Sequence, residues 1–414
     1  MKISLLVSLV IFALITTTAT AESNWLSWRG PTANGIAPEG QTPPTSWSAT
    51  KNVVWKTSVP GRGHSTPIVV NGRIILTTAD EGSKVQSVVC FDRKTGKQQW
   101  ETDVNRGGFP KQIHDKNTHA SPTAASDGER VFVVFNNNKG VQLTALDLDG
   151  KQLWQKNAGS YDPKQYRFGY APSPLIYKNM VIVASEFDGG GFLAAYDGKS
   201  GRQAWRTSRQ KISSYSSPIV ASIKGTDQLL ISGGLMICGY NPTNGRQLWK
   251  ATNVVADATC GTVVWNGDIV YASGGYPQKQ TAAVRAGSGK VLWRNKEKAY
   301  EQSMLVHDGY LYSVTDIGIA FCWDATTGAE QWQHRFRGKF SASPILANGN
   351  LYVSNERGTT FVYKASPISF QLVAQNQLGN ESFASPTIVD SQILLRHASG
   401  TKGTRRETLY CIGQ

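Results

Sequence analysis

Cysteine is scarce in this chain, at 5 of 414 residues. A disulfide scaffold of this length would need many more, so that class is excluded. Cys90, Cys238, Cys260, Cys322 and Cys411 form an odd set, with no two adjacent and no metal-site or haem-attachment spacing. Cys90, Cys322 and Cys411 lie in apolar, strand-like stretches, where free thiols behave as small buried hydrophobes; a single bridge within the set stays open. Charge is sparse too, at 17% of residues against about 25% in ordinary soluble domains. The net charge is nevertheless +14, spread without any dense basic run; Arg405-Arg406, flanked by Glu407, is the one basic doublet that stands out. A partner of negative charge is one reading and plain solubility the other; no nucleic-acid partner is expected. Glycine at every third position is missing, which excludes collagen, and the pattern is too apolar for disorder.

Long apolar runs are missing beyond the N-terminus. There, Lys2 precedes an apolar stretch from Ile3 to Ile15, and Ala19-Thr20-Ala21 places small residues before Glu22. These are the parts of a secretory signal peptide. The stretch is short of the roughly 20 residues of a membrane span, so no transmembrane segment is expected. No cysteine lies near the cleavage site to carry a lipid. The expectation is a signal peptide over residues 1–21, an arm over 22–50, and a protein exported to the periplasm or secreted.

What the chain has in abundance is glycine and aromatic side chains: 41 Gly, 12 Trp, 15 Tyr. With few charges and many β-branched residues, this composition indicates an all-β chain with many turns. A repeated phrase organises it: an acidic or amide residue, three positions, Gly, three positions, Trp. It runs as Asp92, Gly96, Trp100; Asp197, Gly201, Trp205; Asn241, Gly245, Trp249; and Asp324, Gly328, Trp332. Two copies deviate: Asp147, Gly150 and Trp154 lack one spacer residue, and Arg285 replaces the acid ahead of Gly289 and Trp293.

A second phrase, Ser or Thr before Pro, opens each unit: Thr66-Pro67, Ser121-Pro122, Ser173-Pro174, Ser217-Pro218, Ser343-Pro344 and Ser385-Pro386, with degenerate openings at Gly261-Thr262 and Ser303-Met304. Tight-turn dipeptides follow, such as Asn71-Gly72 and Asp308-Gly309. Each unit thus offers four strands. The eighth opens at Ser385 and runs out after its third strand, while Val53 to Thr57, with Trp55, looks like a Trp-bearing fourth strand. A ring closed by this N-terminal strand follows, with about 45 residues per unit as in propeller blades. The acid is expected to accept from turn N–H groups, the Gly to take positive φ, and the Trp to pack between sheets; all are read as structural.

These phrases resemble the PQQ-like (quinoprotein-type) β-propeller family over residues 51–414. The resemblance implies an eight-bladed propeller of four-stranded antiparallel blades. Within that family the export signal and size are similar to the scaffold propeller of outer-membrane β-barrel assembly, although the lipidated cysteine of that type is missing. The leader Trp25, Trp28-Arg29-Gly30-Pro31 and Gly35 resembles that of other exported members, and is read as an arm covering one face or a blade edge. Catalytic members use PQQ with calcium beside an adjacent Cys-Cys pair, which this sequence lacks. Glu186 and Asp188, in a Gly-rich stretch, are the loosest of calcium candidates, with a solvated loop the preferred reading.

No nucleophile motif surrounds any Ser and no zinc-type His spacing exists. Function in such a ring concentrates where the inner strands open onto the channel. Three residues before each Pro-equivalent stand His64, His119, Ala171, Tyr215, Thr259, Glu301, Ser341 and Phe383, and Arg62, Arg167, Tyr170 and Lys339 lie nearby. From these, His64, His119, Tyr170, Tyr215, Glu301, Arg62 and Arg167 are the candidate binding residues at the channel mouth. Two long connections, about 105–118 and 157–168, are expected on one face. The expected function is a non-catalytic, monomeric scaffold that binds envelope proteins or a peptide without a cofactor. PQQ-dependent oxidation, or binding of an acidic glycan, are the alternatives.

Overall fold

The computed structural model describes residues 23–401 and 403–414; the signal peptide expected over 1–21 lies outside them. The described chain forms eight four-stranded antiparallel sheets. In blade 1 the strands are Ile68–Val70, Arg73–Asp80, Val85–Asp92 and Gln98–Arg106, hydrogen-bonded in that order. Six further blades repeat this meander. Blade 8 takes three strands from the C-terminal end and its outer strand, Val53–Val59, from the N-terminal end. Trp55 pairs with Cys411 and Thr57 with Leu409, the expected ring closure.

Local chemistry explains the repeat. The short first strands of several neighbouring blades touch one another. Outer strands show alternate burial instead, as in Gln247–Thr252, because only one of their faces meets a neighbouring blade. Between third and fourth strands the acid closes the turn. Asp92 Oδ1 accepts from Thr95 N at 2.8 Å, and Asp197 and Asp324 do the same with Ser200 and Thr327.

Most blades are then tied to the next by a Trp. Trp100 Nε1 donates to Leu148 O, Trp154 to Gly198 O, Trp205 to Pro242 O and Trp293 to Ala325 O, all at 3.0–3.1 Å. Each acceptor is the residue after the phrase's acid or amide in the following blade. The phrase's Gly lies under the same ring: a methyl group on Gly328 would sit 2.6 Å from Trp293. The junction of blades 4 and 5 departs from this. Arg285 stands where the acid should be and bonds Asp268 at 2.8 Å, while Trp249 turns to Gln228 in its own blade at 2.6 Å.

An inner girdle of hydroxyls sets the register around the axis. Thr66 N donates to Thr123 Oγ1, Thr123 N to Ser173 Oγ, and Ser173 N to Ser217 Oγ, each at 2.9 Å. A second run links Thr262, Ser303, Ser343 and Ser385 in the same way.

The arm crosses from blade to blade. Trp25 bridges to Val69 in blade 1, Arg29 donates to Pro344 O and Met304 O beside blades 7 and 6, and Ile36 bridges to Leu346. Trp47 then docks on Asn376 of blade 7 before the chain enters its closing strand. Among the described residues no helix is long and apolar enough to cross a membrane.

Candidate functional site: the axial cavity

The girdle corrects the channel ring. Counting back from Pro122 places His119 on the axis in blade 2, but the residue that occupies the girdle there is Thr123, beyond the proline. The position equivalent to His64 is therefore Ser121. In blade 5 the girdle residue is Thr262, so Cys260 replaces Thr259. The corrected ring is His64, Ser121, Ala171, Tyr215, Cys260, Glu301, Ser341 and Phe383, and all eight line one cavity of about 460 Å³. The sequence carries a signal for this register. In seven of the eight units the girdle hydroxyl lies five residues before the first positive-φ residue of the inner hairpin, as Thr66 does before Asn71 and Thr123 before Gly128. Only blade 4, whose inner hairpin is longer, breaks the count.

Trp28, from the arm, also lines this cavity and donates to Thr262 Oγ1 at 2.9 Å. The opposite end is made by the long connections. Asn117 Nδ2 donates to Phe168 O at 2.6 Å, tying the segment after blade 1 to the segment after blade 2. Lys116, Asn117 and Phe168 face the cavity, together with Tyr276 and Tyr300. Phe168 packs at 6.0 Å from Tyr215 and 6.4 Å from Tyr276. His114 and Tyr276 are exposed and mark where the cavity meets solvent.

One side of the wall is acidic. Lys116 Nζ binds Glu356 at 2.6 Å and lies 3.8 Å from Glu301; Ser341 Oγ donates to Glu356 at 2.8 Å. Lys298 lies 3.3 Å from Asp316, whose Oδ1 has no donor. Burial raises the Glu301 carboxyl above the usual carboxylate range against the pull of Lys116. Burial opposes charge on Lys116, and Glu301 and Glu356 outweigh it, holding the ammonium. The other side is apolar: His64 stacks on Phe383 at 4.3 Å. Burial, reinforced by Arg62, Arg396 and Arg405, keeps the His64 imidazole neutral.

Of the seven candidate residues, His64, Tyr215 and Glu301 line this cavity. Arg62 and His119 line a separate depression under the 107–118 segment, where His119 packs on Phe109 at 4.2 Å. Tyr170 is buried between blades 2 and 3, its hydroxyl on Ala184 O at 2.7 Å. Arg167 is exposed. These corrections share a cause: nearness in sequence to the ring does not aim a side chain at the axis. Glu186 is also corrected, being no solvated loop residue. It lies in the strand Met180–Phe187, buried against Arg209, which bonds Tyr240. Asp188 is occupied by the backbone N–H groups of Lys164 and Gln165. Cys260 and Phe383, absent from the candidate set, are wall residues.

The match with a known family spans nearly all of this ring. The model described as outer membrane protein assembly factor BamB matches residues 41–104, 84–334 and 277–400. The chain belongs to this family. BamB from Yersinia pestis is 26% identical over 76% of this chain and 78% of its own length. The dehydrogenase subunit of a quinone alcohol dehydrogenase from Gluconacetobacter polyoxogenes is 32% identical, over 34% of this chain and 19% of its own. Among solved structures, BamB from Moraxella catarrhalis superimposes with a TM-score of 0.62 at 15% identity, covering 86% of this chain and 99% of that one. A europium-containing methanol dehydrogenase gives 0.70 at 12% identity, covering 96% and 99%. The BamB-type ring and the dehydrogenase ring are thus one fold.

PQQ and its calcium, which the quinoprotein-type resemblance implies, would need a wall of matching charge. PQQ carries three carboxyl groups and needs cations to receive them. Among the described wall residues Lys116 is the one lysine or arginine, and it is held by Glu356. No group of three or more His, Cys, Asp or Glu among the described residues is arranged to hold a metal ion. The wall does not fit the anionic cofactor.

Proposed function

We propose that this protein is an exported, non-catalytic binding propeller of the cell envelope, periplasmic or secreted, that docks on other proteins of outer-membrane assembly. The observation that carries this reading is the extent of the match to the assembly factor, 76% of this chain and 78% of the relative, against 34% and 19% for the dehydrogenase subunit. The chemistry of the ring agrees with it. The repeat residues Asp92, Gly96 and Trp100 and their equivalents are consumed by turns and blade junctions. An axial wall in which the one lysine or arginine among the described residues, Lys116, is already held by Glu356 supports this reading over one that requires PQQ. The loop face offers exposed Lys111, Lys164 and Arg167, suited to an acidic surface on a partner.

The test is reciprocal capture with in vivo cross-linking in the native envelope. The expected result is stoichiometric recovery of subunits that assemble outer-membrane β-barrels, reduced by reversing the charge of Lys164 and Arg167. Tight binding of PQQ with calcium, accompanied by alcohol- or sugar-dependent dye reduction, would replace this reading with the oxidoreductase. Salt-resistant retention on an acidic polysaccharide, without protein partners, would replace it with glycan binding.

A further inference from the structure

The axial cavity has a composition that the scaffold reading does not use. Its volume, about 460 Å³, falls within the range of small-molecule sites and exceeds what a bare ion fills. Phe168, Tyr215, Tyr276, Tyr300, Phe383 and Trp28 supply aromatic surface. On its acidic side the wall carboxylates Glu301 and Asp316, together with Glu356 bound to Lys116 and Ser341, stand against two ammonium groups, Lys116 in the wall and Lys298 beside it. His64 is kept neutral and adds no positive charge. Counted as formal charges with Glu301 ionised, this cluster of five groups is one positive charge short.

The shortfall has a location. Lys116 sits 2.6 Å from Glu356 and 3.8 Å from Glu301, so of the two carboxylates that share this one ammonium Glu301 is the more loosely paired. Asp316 presents a buried oxygen with no donor. Beside the wall, Lys298 shows how a cation is received by two of its residues: it pairs with Asp316 while its ammonium stands 5.1 Å from the centre of the Tyr300 ring. Aromatic faces beside unneutralised carboxylates attract an organic cation through ring quadrupole and charge together. An anion is disfavoured by the same carboxylates. A bare metal ion lacks a ligand cluster among the described residues.

We propose that the axial cavity is a binding site for an organic ammonium ion carrying an aromatic or aliphatic body. The ammonium sits between Glu301 and Asp316, and the body lies against Tyr215, Phe168 and Phe383. Entry is past His114 and Tyr276, and Trp28 walls the cavity on the arm side. The loops that carry Lys111, Lys164 and Arg167 also wall the cavity through Lys116 and Phe168, so the two readings are separated by their probes: ammonium binding is read on the chain alone, and partner capture is read by charge reversal at Lys164 and Arg167.

The experiment is an equilibrium titration of the full chain, followed by calorimetry and intrinsic fluorescence. The probes are phenethylammonium and benzyltrimethylammonium, with 2-phenylethanol and 3-phenylpropanoate as neutral and anionic isosteres. The expected result is saturable binding of at least one ammonium below about 1 mM, with each isostere about tenfold or more weaker. Glu301→Gln weakens the ammonium about tenfold while leaving the urea midpoint in place. Should that variant misfold, the isostere series on the unaltered protein still decides. Equal or tighter binding of the neutral or anionic probe overturns the proposal. So does the absence of saturation by either ammonium up to about 10 mM, or unchanged affinity in a folded Glu301→Gln variant.

Discussion

Trp55, on the N-terminal strand, donates its indole N–H to the carbonyl oxygen of Arg93 at 3.1 Å while its backbone pairs with Cys411. One residue therefore joins three parts of the chain: the first strand, the last strand and blade 1. Arg93 reinforces the same seam from the other side, donating to Val389 O at 2.9 Å and pairing with Asp390. Trp55→Ala should cost about 3 kcal/mol, the low end for a large aromatic because the ring is partly exposed. Trp55→Phe should cost about 1 kcal/mol, mainly the lost hydrogen bond. Urea midpoints of the two variants check this. Equal and negligible losses would mean that the seam does not limit the stability of the ring.

Gly328 and Gly309 both hold positive φ, at 77° and 80°, but a methyl group at Gly328 would meet Trp293 whereas nothing lies within 4 Å of the same position on Gly309. Gly309→Ala should cost only backbone strain, about 1–2 kcal/mol. Gly328→Ala adds overpacking against the ring, for a total of about 3 kcal/mol. The difference in unfolding midpoint between the two variants isolates the packing role of the phrase. If they are equally destabilised, the glycine is there for its turn alone.

The frame was legible in the sequence because each of its parts answers to a local rule. Asp92 must accept from the N–H groups two and three residues on, Gly96 must take positive φ, and Trp100 must reach a carbonyl in the next blade; fixed spacings follow. The wall of the cavity obeys no such rule. His64, Cys260 and Glu301 share a position and nothing else, so they can be found only by counting from the frame. Counting from proline failed in blade 2, where Pro122 precedes the girdle residue, and in blade 5, which has no proline there. Pro67 and Pro174 coincide with the register without setting it, since the hydroxyl of the girdle residue makes the inter-blade bond. Contributions from distant segments were least legible. Trp28 and Lys116 reach the cavity from the arm and from a loop, and neither position bears any mark of the repeat.

His397 gives the molecule a defined response to acid. It is buried, its Nδ1 donates to Leu378 O at 2.8 Å, and burial holds its imidazole down to about 4 from 6.5. A folded-state value below the unfolded one means that the unfolded chain binds the extra proton first. Stability is therefore fully present above pH 6.5 and falls as pH drops towards 4, by up to about 3 kcal/mol from this group. His64 is shifted in the same direction and adds to the loss. The carboxyls of Asp92, Asp197 and Asp324 are lowered below 3.8, so their loss comes at lower pH. His397→Gln, which keeps a donor for Leu378, should flatten the decline between pH 6.5 and 4 and leave the lower limb unchanged. An unaltered slope in that window would remove His397 from the acid response.

The five cysteines are free thiols, all buried except Cys260, which is half-buried at the cavity wall. Burial pushes the thiols of Cys90, Cys322 and Cys411 up to about 12, so almost none is thiolate at neutral pH. Cys260 is raised as well by burial, with Glu301 adding to it, yet it alone faces a space that reaches solvent. A thiol reagent should therefore find no fast-reacting group in the native protein, then one slow site at Cys260, and five sites after denaturation. Reductant should leave the urea midpoint unchanged. Mass mapping of the first modified peptide checks the order. Early modification at Cys90 or Cys411 would show that the blade interfaces open more readily than the axis. If Cys260 does lead, slowing of its reaction by phenethylammonium reports occupancy of the cavity by a route that does not depend on fluorescence or heat.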